Sequence, residues 1–171
     1  MQELGIPTYI TRSTDETLDR DERVNRILSA FGNNSDVIVL SNHINAGGGE
    51  GAEIVYALRN SDALAKNILE EIGSEGQEMR KYYQRRLPGD PSKDYYFIQR
   101  LTGKTQPVLI EYGFIDNDRD LNKLKNNLLD YGEAVVRAVA NYTGTKYTPP
   151  GVSGDTYTVQ RGDTIFMGNN E

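Results

Sequence analysis

Short apolar runs along the chain predict its strands. Residues 37–40 are four apolar, mostly β-branched residues between a polar stretch and a glycine triplet, which is the pattern of a strand buried on both faces. Residues 53–56 alternate as a second strand, and residues 107–111 form a strong strand that ends in a carboxylate. Residues 7–11 and 96–98 predict two weaker strands. These runs indicate a sheet at the centre of the protein.

Apolar residues at intervals of three and four predict three helices. The first begins at Asp19, which forms a capping-box pattern with Glu22, and it ends at Gly32. The second ends at Gly73, and the third begins at residues 116–118. Their core-facing residues are Val24, Ile27, Leu28 and Phe31, then Leu64, Ile68 and Ile72, and then Leu121, Leu124, Leu128, Val135, Val139 and Tyr142. Strands and helices in this order predict an α/β fold with a mostly parallel or mixed sheet flanked by helices.

The apolar pattern loses its period in residues 74–93, which predict a loop. Basic and aromatic side chains are mixed here, and such a mixture can bind a nucleic acid. They are Arg80, Lys81, Tyr82, Tyr83, Arg85, Arg86, Lys93, Tyr95 and Tyr96. Because the whole chain has a formal net charge of −6, nucleic-acid binding is not predicted. The segment is interpreted as a groove wall that contacts a polar polymer.

The composition excludes several classes of protein. Of the 171 residues, 37% are hydrophobic and 26% charged, as in a globular protein. No apolar run approaches the roughly 18 to 20 residues that a membrane helix needs, so no transmembrane segment is predicted. Residues 1–7 contain neither the basic nor the apolar region of a secretory signal. The absence of cysteine excludes disulfides, thiolate metal sites and cysteine nucleophiles.

Two polar residues at strand ends are the candidates for chemistry. His43, the only histidine, lies three positions beyond the run at residues 37–40, where ligands and catalytic groups of open α/β sheets collect. Glu111 ends a buried strand, where a carboxylate is costly unless it faces a cleft, is paired, or binds a metal. If the two strands are parallel, both side chains emerge at the same edge of the sheet. A solvated loop histidine and a structural glutamate are the alternatives, and the residues alone leave them open.

These two residue types suit zinc but do not make a complete zinc site. Catalytic zinc has three protein ligands, drawn from imidazole, carboxylate and thiolate groups, and a bound water. The metal lowers the pKa of that water from 15.7 to roughly 7, and a neighbouring carboxylate can accept its proton. His43 is only one such ligand. The glycine triplet does not predict a phosphate cradle, because a strand rather than a helix follows it.

Several blocks of residues along the chain form a recognisable pattern. They are Thr11-Arg12, Asp15, Arg23-Val24, residues 41–46, residues 51–53, Tyr56, Ser61, Leu64-Ala65 and residues 107–117. In order and spacing, these blocks resemble the zinc-dependent N-acetylmuramoyl-L-alanine amidases of bacterial cell-wall lysis. The resemblance implies that His43 is a zinc ligand and that Glu111 is the catalytic glutamate acting on the zinc-bound water. It also implies Zn²⁺ as the cofactor and peptidoglycan as the partner, cleaved at the amide between the lactyl group of muramic acid and L-alanine. The parent protein would then be secreted or associated with the cell wall.

The chain also departs from the family pattern, in which a first strand ending in Gly-His-Gly-Gly and a following helix supply two more zinc ligands. Neither that strand nor that helix is found before residue 3. Glu3, Glu50 and Glu53 are carboxylates that could replace a missing ligand, and no motif selects one of them. We therefore expect residues 1–142 to be an amidase catalytic domain that is incomplete at its N-terminus and lacks that strand and helix. Residues 143–156 read as a flexible linker. Residues 157–171 resemble the beginning of a LysM peptidoglycan-binding module.

Two hypotheses about function follow from the resemblance to the amidases and from the absence of two of their zinc ligands. The first is a hydrolase that cleaves the muramoyl–alanine amide with zinc-activated water. The second is a non-catalytic wall-binding or regulatory remnant that keeps the groove without the metal. The presence of both His43 and Glu111 favours the first hypothesis.

Overall fold

The computed structural model describes residues 1–150 and shows a mixed α/β fold. In chain order, the elements are a short 3₁₀ helix Gln2–Leu4, α1 Arg20–Phe31, β1 Ile38–Asn45, β2 Ala52–Tyr56, α2 Ala63–Ser74, β3 Met79–Tyr83, β4 Arg86–Leu87, β5 Asp90–Asp94, α3 Phe97–Leu101, β6 Gln106–Phe114 and α4 Asp118–Thr143. No helix in this part of the chain combines the length and the apolar character needed to cross a bilayer. The predicted LysM beginning at residues 157–171 lies outside the described residues.

The central sheet has the strand order β1-β6-β2-β3. The β1 and β6 strands are parallel, β2 is antiparallel to β6, and β3 is parallel to β2. The predicted α/β class with a mixed, helix-flanked sheet is therefore confirmed. The β4 and β5 strands form a separate two-stranded hairpin.

The hydrophobic core lies between one face of the sheet and the helices α2 and α4. Ile54 of β2 and Ile110 of β6 are opposite each other and have no exposed surface. Ile68 and Ala138 pack onto them from α2 and α4, respectively. Burying a large aliphatic side chain contributes roughly 1.5 to 3 kcal/mol, so this face supplies much of the stability of the fold.

The helix ends show the capping that the sequence predicts. The Asp19 carboxylate accepts a hydrogen bond from the Glu22 amide at 2.8 Å, so α1 begins where expected. Asn117 caps α4, and its side-chain oxygen accepts hydrogen bonds from the amides of Arg119 and Asp120. Both caps are local, since donor and acceptor lie within three residues of each other.

The other face of the sheet is only partly covered. Ile27 of α1, Val39 of β1 and Ile98 of α3 form a small second cluster there. This cluster covers the amino-terminal half of β1. Beyond this cluster, His43 of β1 is exposed and Glu111 of β6 is partly exposed.

Four predicted elements differ from the observed structure. Residues 7–11 form no strand, because no neighbouring strand pairs with them. Residues 96–98 were expected as a strand, but Tyr96 caps the short helix α3 instead. Residues 74–93, expected as a loop, contain β3 and most of the β4–β5 hairpin. The strand that is buried on both faces is β6, whereas β1 lies at the edge of the sheet.

The β3 strand was missed because its sequence does not alternate. Four of its five residues are exposed, as on an edge strand that carries charged side chains. Its position is set by pairing with β2 rather than by local preference. Pairing across the sheet is not visible in the sequence of a single strand.

Candidate functional site

A row of four polar residues crosses the open face of the sheet. His43 of β1 is the register partner of Glu111 of β6, and Glu111 is the partner of Glu53 of β2. Lys81 of β3 is in turn the partner of Glu53. Side chains of register partners point to the same face of a sheet, so all four project away from the hydrophobic core. The structure thus places His43 and Glu111 side by side. It adds Glu53, which the sequence offered only as a possible substitute ligand, and Lys81, which the sequence placed in the predicted groove wall.

Glu111 is a carboxylate that lacks compensation. One of its oxygens, Oε2, is buried and accepts no hydrogen bond from any residue in the described range 1–150. Burial raises the pKa of Glu111 to about 7, and the negative charge of Glu53 contributes to the same shift. A buried polar atom without a partner is uncommon in native proteins and is concentrated at functional sites. A carboxylate with a pKa near neutrality suits a general base.

His43 stands at the open end of the row. Its Nε2 atom lies 2.8 Å from Ser41 Oγ, and the side chain is exposed. Desolvation lowers the pKa of the imidazole, and the positive charge of Arg23 on α1 lowers it further. Both effects favour the neutral imidazole, which is the form that binds metals.

Glu53 differs from Glu111 because its charge is compensated. It is only 4% exposed, and Arg80 Nε lies 3.1 Å and Lys81 Nζ 3.6 Å from its Oε1. Tyr83 donates a hydrogen bond to its Oε2 at 3.2 Å. Burial, and next the negative charge of Glu53, raise the pKa of Tyr83 to about 12. Glu53 thus places a fixed negative charge beside Glu111.

The glycine loop after β1 is held by acidic residues near the start of α4. The amides of Gly47 and Gly48 both donate to Asp116 Oδ2 at 2.8 Å. The fully buried Asp120 accepts hydrogen bonds from the Gly51 and Phe114 amides, also at 2.8 Å. A carboxylate of the chain itself thus accepts the hydrogen bonds of the Gly47 and Gly48 amides. Asp120 was not selected from the sequence, and its position in the first turn of α4 was the only available signal.

A cleft of about 1060 Å³ opens beside β1. Residues 6–12 and α1 line one side, and residues 37–43 line the other. His43 lies at its rim. The cleft follows the edge of β1 that has no strand partner within residues 1–150, so a long substrate could approach the row of polar residues from this side.

The donor set does not fit a three-ligand zinc site. In residues 1–150, no three His, Cys, Asp or Glu side chains lie close enough together to hold a metal ion. Glu53 is held by Arg80 and Lys81, and Glu50 pairs with Arg119 at 2.6 Å. Of the three glutamates considered as substitute ligands, Glu50 and Glu53 are therefore paired with cations, and Glu3 is exposed in the 3₁₀ helix Gln2–Leu4. His43 and Glu111 alone are too few for such a site.

A comparison with models of protein families assigns most of the chain to one family. Residues 1–141 match the Amidase_3 family, described as N-acetylmuramoyl-L-alanine amidase. Among curated proteins, no sequence matches the chain significantly.

Several solved structures have a similar fold. Cwp6 from Clostridium difficile is 27% identical with a TM-score of 0.72, over 82% of this chain and 22% of Cwp6. The amidase AmiC2 of Nostoc punctiforme is 18% identical with a TM-score of 0.68, over 84% of this chain and 76% of AmiC2. An N-acetylmuramoyl-L-alanine amidase from Clostridium difficile 630 is 19% identical with a TM-score of 0.65, over 85% and 78% of the two chains.

The likeness to the two amidases concerns the fold, because their sequence identity is low. The chain spans about a fifth of the length of Cwp6 and about three quarters of the length of the two amidases. The family match is broader evidence, since it extends over most of the chain and includes both Glu111 and His43. The chain therefore belongs to the N-acetylmuramoyl-L-alanine amidase family.

Proposed function

We propose that this protein is a peptidoglycan hydrolase that cleaves the amide between N-acetylmuramic acid and L-alanine, with Glu111 as its general base. The observation that supports this proposal is the juxtaposition of an uncompensated, half-buried Glu111 with His43 on the open face of the sheet. The family match supports the choice of substrate.

Glu111 would act by transferring protons. In amide hydrolysis, a base removes a proton from the attacking water, and the same group can then protonate the leaving amine. The amine released here would be that of L-alanine, and the acid would be the lactyl carboxyl group of muramic acid. Glu111 is suited to both steps, because its carboxylate takes up and releases a proton near neutral pH. Its buried Oε2 atom accepts no hydrogen bond within residues 1–150, so no protein donor there competes with a proton for this oxygen.

Zn²⁺ belongs to the proposal as the cofactor of the family, with His43 as one ligand. The described residues do not supply the remaining donors, so the proposed proton transfers are assigned to Glu111 alone.

We also propose that residues 157–171 begin a LysM peptidoglycan-binding module, which would place the protein at the cell wall.

A second candidate function is wall binding without catalysis. It is favoured by the incomplete set of metal donors in the part of the chain that the structure describes. Such a protein would keep the groove and bind the polymer without cleaving it.

Digestion of purified peptidoglycan tests both functions. The 171-residue protein is incubated with sacculi with and without added Zn²⁺, and the products are analysed by mass spectrometry. An amidase releases peptides with a free alanine amine and leaves intact lactyl groups on the glycan. Cleavage at any other bond would contradict the proposed specificity. Co-sedimentation with sacculi without any cleavage would support the wall-binding function instead.

Zinc binding is a separate test of His43. Because one histidine cannot hold zinc tightly, calorimetry should show binding weaker than about micromolar, without a defined stoichiometry. A one-to-one site of higher affinity would show that other residues complete the coordination sphere. His43→Ala should then abolish that site if His43 is a ligand.

A further inference from the structure

Arg85 is an exposed arginine that two aromatic rings hold in place. Its guanidinium carbon lies 3.8 Å from the ring centre of Tyr95 and 5.7 Å from that of Tyr96. Its Nη1 atom donates a hydrogen bond to the Tyr96 hydroxyl at 3.1 Å, and its carbonyl accepts one from the Tyr95 amide at 2.7 Å. The two rings pack edge to face, with centres 5.0 Å apart. Stacking of this kind fixes the plane of the guanidinium before any ligand arrives.

Arg85 differs from several other arginines in having no acidic partner within the described residues. Arg26, Arg80 and Arg137 each lie within 4.0 Å of a carboxylate oxygen. Within residues 1–150, no carboxylate lies within that distance of Arg85. A planar, oriented guanidinium with unused donors is well suited to bind a carboxylate through two parallel hydrogen bonds.

The surroundings of Arg85 are basic, although the protein is acidic. Residues 79–100 contain six Lys or Arg and two Asp residues, whereas the whole chain has a formal net charge of −6. Two of the six cations, Arg80 and Lys81, are paired with Glu53 of β2, which leaves four. Both acidic residues are already engaged, since Asp90 pairs with Lys93 and Asp94 accepts a hydrogen bond from the Leu58 amide. An anionic ligand would therefore meet a local excess of positive charge.

Arg85 is also placed within reach of the proposed catalytic row. It follows β3 by two residues, and Tyr83 at the end of β3 contacts Glu53 of the row. With a strand spacing of about 4.8 Å and a rise of about 3.3 Å per residue, Arg85 lies on the order of 15 Å from Glu111. An extended peptide covers that distance in four or five residues.

We propose that Arg85, clamped by Tyr95 and Tyr96, is a subsite that binds a carboxylate at the distal end of the substrate's peptide stem. This inference rests on the proposed function, because it takes the stem peptide as the substrate. The stem would run from the scissile amide at Glu111 across β2 and β3 to the basic and aromatic segment. The polar polymer that the groove wall at residues 74–93 was predicted to contact would then be the stem peptide, bound through its carboxylate.

Binding of stem peptides tests the subsite without requiring turnover. Two fluorescent pentapeptides are compared by anisotropy on the 171-residue protein, one ending in a free carboxylate and the other in a carboxamide. The wild type should bind the carboxylate form about 10- to 100-fold more tightly, as expected for a hydrogen-bonded charge pair. Arg85→Ala should abolish the preference, and Arg85→Lys should restore only part of it, because the planar donor pair is lost. Equal affinity of the wild type for both peptides would overturn the proposal.

Arg86→Ala is the matched control. Arg86 is adjacent in sequence, carries the same charge, is exposed, and donates to the carbonyl of Pro91 at 2.6 Å. The preference for the carboxylate should survive this change. If Arg86→Ala abolishes it as completely as Arg85→Ala does, general charge attraction rather than an oriented subsite is responsible, and the proposal is wrong.

Three further measurements separate alternative explanations. Tyr95→Ala should weaken the preference while thermal unfolding stays close to that of the wild type, and an unaffected preference would contradict the clamp. A poly(glycerol phosphate) competitor tests whether the anion that binds Arg85 is a wall phosphate. If this polymer displaces the fluorescent peptide in an Arg85-dependent way, and at a lower concentration than unlabelled carboxylate peptide does, the assignment of Arg85 to a carboxylate is wrong. Cleavage of sacculi is scored separately, so loss of the carboxylate preference and lack of amidase activity are distinguishable outcomes.

Discussion

The two faces of the central sheet are built from the same strands but differ in polarity and in how their side chains are covered. Ile110 and Ile54 are partners on the core face and have no exposed surface. Glu111 and Glu53 are partners one position away and lie on the open face. Because side chains alternate along a strand, neighbouring residues of β6 can serve stability and chemistry separately. Substitutions at adjacent positions should therefore have different consequences.

The largest expected effect is on activity, at Glu111. Glu111→Gln keeps the size of the side chain and removes the base, so amide hydrolysis should fall by roughly 100- to 10,000-fold. Release of alanine amines from sacculi measures the change. The unfolding midpoint should be unchanged or higher, because a buried carboxylate without compensation is replaced by a neutral amide. Activity close to that of the wild type would show that Glu111 is not the base.

The matching substitution on the core face is Ile110→Ala. The side chain has no exposed surface and packs between β6 and the helices, so unfolding free energy should fall by about 2 to 5 kcal/mol. Chemical denaturation measures it. Activity per folded molecule should stay near that of the wild type. A selective loss of activity without a loss of stability would mean that the two faces are not independent.

Asp120 tests how the open face is held in shape. Its Oδ2 atom accepts hydrogen bonds from the Gly51 and Phe114 amides. Asp120→Ala leaves both donors without a partner, so stability should fall by about 2 to 4 kcal/mol. Asp120→Asn, which keeps an acceptor, should cost less. Equal losses for the two variants would show that charge rather than hydrogen bonding is what Asp120 provides.

The smallest expected effect is on the glycine loop at acid pH. Hydrogen bonds from the Gly47 and Gly48 amides lower the pKa of Asp116 below its ordinary value of 3.8. The charged form is thus favoured in the folded protein, so its contribution is present above the ordinary carboxyl range and is lost as pH falls through the lowered pKa. NMR shifts of both amides should titrate together below pH 3.8. Asp116→Asn should remove this titration, and its persistence would assign it to another group.

Much of the fold could be predicted because it is encoded locally. The Asp19 cap, the apolar periodicity of the helices and the apolar run before Glu111 each depend on residues a few positions apart. The predicted end of the strand at Glu111 is wrong, because β6 continues to Phe114, and Phe31 and Leu128 of the predicted helix faces are exposed. His43 and Glu111 could be selected for the same reason, since each follows an apolar run. The expected strand at residues 7–11 failed because strand propensity requires a partner, and none pairs with it.

The sequence by itself determined the three long helices α1, α2 and α4, where α1 and α4 begin, and which two residues carry the candidate chemistry, but it did not predict α3. Only the tertiary structure decided that β1 and β6 are parallel, which brings His43 opposite Glu111. It also decided that Glu53 is paired with cations while Glu111 is not. The physical reason is distance along the chain. Capping and helical periodicity act over three or four residues, whereas the bond from Gly51 to Asp120 joins groups 69 residues apart, and no local pattern specifies such a pair.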